Sequence, residues 1–254
     1  MSVIAVERIK LFSTRSPWWC MVISAVLTIG LAALSTAFLG TADEPQATIF
    51  MTQGGAQLSQ MVMMVMAALA VTTEYRFGTI RTSFQAVPQR AALLLGKTAV
   101  VAVLAGLVGL IASFGAWFIG SLFVSGADLS INTGAEWRLL AGQGIVFALS
   151  AVIAVAVGIM IRQSAGAIAI LILWPLLVES LFTLIPKVGD DMAKWSPFAN
   201  ASSFLNQGQD MGLAGGFAGS GDFALGPWWA LLYFAAWAAA LMALALATAS
   251  KRDA

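Results

Sequence analysis

Six apolar stretches, at residues 18–40, 56–73, 91–124, 139–161, 165–185 and 227–249, limit this chain more tightly than any other feature. Each approaches or exceeds the roughly 20 residues that a helix rising about 1.5 Å per residue needs to cross about 30 Å of hydrocarbon. A segment in lipid finds no water for its backbone, so it must close its hydrogen bonds within a helix or a closed barrel. Long runs of Leu, Ala, Val and Ile without strict alternation favour the helix. The expectation is an all-α integral membrane protein, a single domain over residues 1–254 with six transmembrane helices. Composition agrees, since the chain is 60% hydrophobic and 10% charged, against about 45–50% and about 25% in soluble domains. That surplus needs lipid rather than a larger core.

Orientation follows from the basic residues flanking the spans. With the N-terminus inside, one side holds Arg8, Lys10, Arg15, Arg76, Arg81, Arg90, Lys97, Arg162, Lys251 and Arg252, and the other only Arg138, Lys187 and Lys194. The reading is N-in and C-in, in the cytoplasmic membrane. Residues 1–17 mix Glu7 with Arg8, Lys10 and Arg15 ahead of an apolar run of about 20 residues, longer than the roughly 7–15 of a secretory h-region. The run is therefore read as a first span preceded by an interfacial segment.

Several functional classes drop out. A net charge of +1 and no long basic run argue against a nucleic-acid footprint. The chain has no histidine and a single cysteine, Cys20, so no internal disulfide and no histidine-based triad or zinc motif is available. Gly96-Lys97-Thr98 invites a phosphate-binding loop, but Ala91 stands where its first glycine belongs and no strand precedes it. Lys97 is read as an interfacial anchor. No polar cluster is expected within the spans to build a Ser-Lys or carboxylate enzyme site. Neither a bound cofactor, a metal nor an enzymatic activity is expected of this chain.

Inside the spans, Glu179 stands out about 15 residues beyond Ser164, roughly 22 Å up a core of about 30 Å. An acid there faces a cavity or partner, or else reaches the outer headgroups and caps a contact in the bundle. Pro175, four residues earlier, removes a helical hydrogen bond and predicts a kink. The two are candidates for a pathway or gate. Met61, Met63, Met64 and Met66 are expected to fill gaps in the second span. Gly106, Gly109 and Ala116 are expected to allow close helix contact in the third.

The segment between the second and third spans is the most specific: Glu74-Tyr75-Arg76-Phe77-Gly78-Thr79-Ile80-Arg81, then Pro88-Gln89-Arg90, then Gly96-Lys97. Gly78 can break the second span, Thr79 can cap a short helix reaching Ala86, and Pro88 can open the next helix. Ile80 and Phe84, four apart, share one face as possible apolar anchors, flanked by Arg81.

These residues resemble the first cytoplasmic loop of permease subunits in the type-2 exporter branch of ABC transporters. Glu7 to Leu11, Arg15-Ser16 and Trp18-Trp19 are similar to the elbow region before the first span in many actinobacterial members. The resemblance implies a six-span permease that pairs with a second permease subunit, the same chain or a relative. Two separate ATPase subunits would bind ATP and Mg. Residues 78–86 would form the coupling helix, with Gly78, Thr79, Ile80, Arg81 and Phe84 in it and Glu74 and Arg76 supporting its junction. The outer segment after Pro186 would cap the pathway. The competing expectations are a non-transporting membrane scaffold or sensor of the same fold and a stand-alone secondary transporter. The latter calls for several intramembrane ionisable groups, of which the sequence shows only Glu179.

Overall fold

The computed structural model describes residues 3–39, 48–86, 90–123, 129–182, 185, 189–206 and 225–252. Among them every regular element is helical and no strand occurs. Helix α1 (Val3–Ser13) precedes α2 (Arg15–Leu39). The Ser13 and Thr14 hydroxyls donate to the Lys10 and Leu11 carbonyls, which satisfies acceptors at the end of α1 and marks the break between the two helices. A single turn, α3 (Ile49–Thr52), leads through a tight bend into α4 (Ala56–Phe77), followed by α5 (Thr79–Ala86), α6 (Arg90–Phe123) and α7 (Gly134–Ile161). The start of α7 is set by a capping box, in which Thr133 accepts from the Glu136 N–H and the Glu136 carboxylate accepts from the Thr133 N–H at 2.8 Å. Then come α8 (Ser164–Leu173), a π-turn (Trp174–Val178), α9 (Glu179–Phe182), α10 (Gly189–Lys194), α11 (Pro197–Asn206) and α12 (Pro227–Arg252).

Six of these segments are long and apolar enough to cross a membrane: Arg15–Ala37, Ile49–Phe77, Arg90–Phe123, Gly134–Ile161, Ser164–Phe182 and Pro227–Lys251. The chain is thus a multi-pass, all-helical membrane protein, as its hydropathy predicts. Helix α7 is the centre of the bundle and packs on α4, α6 and α12. Within the apolar windows 67% of the α7 residues are buried against 22% in α2, so α2 leaves most of its surface uncovered by the rest of the chain. Close approach of α6 and α7 depends on small residues, as expected. A Cβ on Gly106 would stand 3.1 Å from the Gly144 carbonyl, and one on Gly109 would stand 2.7 Å from the Phe147 ring. Ala116 and the four methionines from Met61 to Met66 are all buried in the bundle.

The kink predicted at Pro175 takes a particular form. The Glu179 N–H donates to the Trp174 carbonyl, five residues back, so one wide turn accommodates the ring and the missing N–H of proline. The predicted break at Gly78 is also present. This residue adopts φ 72°, a left-handed conformation cheap only for glycine, and its N–H closes α4 on the Tyr75 carbonyl. Thr79 differs from expectation. It is the first residue of α5 rather than its cap, and its hydroxyl points back to the Glu74 carbonyl at 3.5 Å. Pro88 and residues 207–224 of the outer segment lie outside the described residues.

Candidate functional site

One end of the bundle gathers α1, the last turn of α4, α5, the first turns of α6 and the turn between α7 and α8. Its centre is a cluster of four charged side chains from three helices. Lys97 Nζ of α6 lies 2.8 Å from Glu74 Oε1 of α4 and also donates to Glu7 Oε2 of α1. Lys10 Nζ, one turn along α1 from Glu7, is 3.4 Å from Glu7 Oε1 and 3.6 Å from Glu74 Oε1. Two acids and two bases make the group neutral as a whole. Glu7 and Lys97 are only 3% and 4% exposed, so each depends on its partners to offset the loss of hydration.

Lys97 was expected to anchor at the membrane interface. It turns inward because the end of α4 and α1 present carboxylates to it, and burial beside an opposite charge is then tolerated. Glu7 escapes sequence reading as a site residue, since nothing local says that an acid in the first helix faces a lysine 90 positions away. The nearest signal was its unusual place among Arg8, Lys10 and Arg15.

The same end is clasped from the other side. Arg162 ends α7 in the left-handed region at φ 59°, with its N–H on the Gly158 carbonyl. Its guanidinium carbon lies 4.9 Å from the Tyr75 ring centroid, a cation–π contact next to Glu74. Ser164 Oγ donates to Thr72 Oγ1 at 2.9 Å, one turn before. The last turn of α4 is therefore held by α1, α6 and the α7–α8 turn together.

Helix α5 lies against this clamp. Ile80, expected to be an outward anchor, is instead 4% exposed and part of the core, because the left-handed Gly78 folds α5 back so that this side meets its own chain. The exposed positions Thr79, Thr82 and Gln85 recur every three residues and form a polar outer face. Arg81 and Phe84 lie in α5, but their side chains lie outside the described residues. At the junction, Phe77 is 72% exposed, with the Arg76 guanidinium 5.7 Å from its ring. This exposed aromatic beside the bend was not picked out from sequence, where it reads as the last apolar residue of a span.

The second candidate pair lies in the fifth span. Glu179 is 5% exposed and caps a contact inside the bundle. Its carboxylate accepts from the backbone N–H groups of Phe198 at 3.0 Å and Ala199 at 2.9 Å, in the first turn of α11. A negative charge at that position satisfies two orphan donors and meets the positive end of the helix. Pro175, one turn earlier, is buried on the wall of a cleft that α11 completes. Polar side chains of different spans do meet: Gln53 Nε2 donates to the Ser113 carbonyl, Gln60 Nε2 donates to Ser150 Oγ at 2.7 Å, and Ser24 and Ser59 share a hydrogen bond. These side chains look isolated along the sequence and meet only across helices.

Fold and clusters define a multi-pass helical membrane protein, with six helices long and apolar enough to cross among the described residues and a charge-clamped junction at one end. No protein-family model matches the chain, and no curated protein is similar to it at a significant level.

Proposed function

We propose that this chain is the membrane-spanning permease subunit of an ATP-driven exporter of the type-2 ABC class, with α5 as the coupling helix and the clamped end in the cytoplasm. The observation that carries the reading is the bridge from Glu74 to Lys97 across the two spans that α5 connects, extended to Glu7 of α1. A soluble motor not covalently joined to the spans needs a short surface element to push. That element transmits force only if the span ends behind it move together. Here α5 is bounded by the bend at Gly78, and the ends of α4 and α6 are tied to each other and to α1. Displacement of α5 would therefore tilt three elements as a unit. Its outer face, Thr79, Thr82 and Gln85, supplies polar contacts, with Phe77 as an apolar contact at the bend.

In this reading ATP and Mg belong to the partner ATPase, a second permease subunit completes the pathway, and lipids cover α2 and α12. Pro175 and Glu179 are candidates for the moving part of the pathway. The test is affinity purification of the tagged chain from its native membrane, followed by reconstitution in lipid vesicles. An ATPase should copurify in stoichiometric amount, and its hydrolysis should fall when Thr82 and Gln85 are both replaced by Glu. A chain that purifies without any ATPase and leaves vesicles inert to ATP overturns the proposal.

A further inference from the structure

Helices α4, α7 and α11 and the π-turn enclose a cleft with about 50 Å³ of free space. Amide side chains line it from three directions: Gln60 from α4, Gln143 from α7 and Asn206 from α11, all less than a tenth exposed. Met64, Pro175 and Leu205 form apolar wall between them. Among the described residues, none of the side chains lining the cleft carries a charge. Two of the amides are occupied, Gln60 donating to Ser150 Oγ at 2.7 Å and Asn206 to Ser202 Oγ at 3.2 Å. Gln143 differs, because its Oε1 is buried and accepts no hydrogen bond from the described residues. A buried amide left unpaired is costly, and in hydrocarbon no bulk water relieves it.

We infer that this cleft is a binding site for the hydroxyl end of an uncharged amphiphile. A hydroxyl both donates and accepts, so it meets the Gln143 amide in either orientation of that group. A charged end would enter a cleft with no counter-charge on its walls and would lose its hydration. That space exceeds the roughly 10–15 Å³ a cavity needs to admit one water. It therefore takes a hydroxyl and the first carbon or two, with the apolar chain leaving along Met64 and Pro175. Glu179 has a positioning role here: by capping α11 it holds the wall that carries Leu205 and Asn206. This assignment does not depend on whether an ATPase drives the chain.

The test uses three photoactivatable probes of equal chain length, each an octyl chain with a diazirine: an alcohol, an alkane and a carboxylate. Purified full-length protein is irradiated with each, and the adducts are mapped by mass spectrometry. The alcohol should label the 56–66 and 198–206 regions at least tenfold above the alkane and the carboxylate, and an excess of unlabelled octanol should remove that labelling. Gln143→Leu should lower it by about five- to tenfold, as expected for the loss of one hydrogen bond to a neutral group. If that variant fails to elute as a monodisperse species, competition by octanol but not octane in the wild-type protein decides. Equal labelling by alcohol and alkane, spread over lipid-facing residues of α2 and α12, would mean that the cleft takes water or nothing, and overturns the inference.

Discussion

Lys97 Nζ stands 2.8 Å from Glu74 Oε1, and this contact joins the last turn of one span to the second turn of the next across a gap of 23 residues that includes α5. The pair lies where any movement of α5 must enter the bundle, with Glu7 of α1 sealing it from the opposite side.

Removal of the shared cation should leave two carboxylates facing each other with only Lys10 to serve them. Lys97→Met is expected to destabilise the protein by about 3–5 kcal/mol, the usual cost of orphaning a buried charge. Lys97→Met combined with Glu7→Gln restores a balanced pair of Lys10 and Glu74 and should recover at least half of the loss. Thermal unfolding in detergent, followed by size-exclusion of the soluble fraction, measures both. A double variant no more stable than Lys97→Met would show that charge balance is not what holds the junction.

Glu179 caps α11 through both carboxylate oxygens, so its neutral isostere keeps part of the cap and an apolar residue keeps none. Glu179→Gln should weaken the first turn of α11 by about 1 kcal/mol and Glu179→Leu by about 2 kcal/mol or more. Hydrogen exchange at the amides of Phe198 and Ala199 reports this locally, with protection falling by about fivefold in the glutamine variant. Unchanged exchange at these two amides in Glu179→Leu would return the residue to a role in the pathway alone.

At the bend, Ile80 and Phe77 have opposite environments and should fail in different assays. Ile80→Ala removes buried side-chain volume and is expected to cost about 2–4 kcal/mol of stability. Phe77→Ala, at an exposed position, should leave unfolding within about 0.5 kcal/mol of wild type and lower recovery of the copurifying ATPase several-fold. Recovery normalised to membrane expression separates the two, and full recovery with Phe77→Ala would place that ring in lipid.

Orientation is open to direct measurement. Single cysteines placed at Asp191 and at Lys251, in a background with Cys20→Ala, should react differently with an impermeant maleimide on intact cells. The basic-residue asymmetry predicts labelling at 191 and protection at 251 until the membrane is opened. Labelling at 251 in intact cells would invert the assignment.

Hydropathy is a property of a local window, which is why the number of spans, the helical class and the breaks at Gly78 and Pro175 could be read along the chain. Each depends on residues within a turn or two of one another. The partners of Lys97 and of Glu179, the inward side of Ile80 and the union of Gln60 with Ser150 across 90 residues were not legible in that way. Apolar sequence of this kind is hydrophobic all round, so no stripe of polar residues marks which side of a helix faces its neighbours. The rotation of each helix about its axis is set instead by close packing, as where Gly106 and Gly109 of α6 settle against Gly144 and Phe147 of α7. Once that rotation is fixed, the few polar side chains in the spans must find each other, because lipid offers them nothing else.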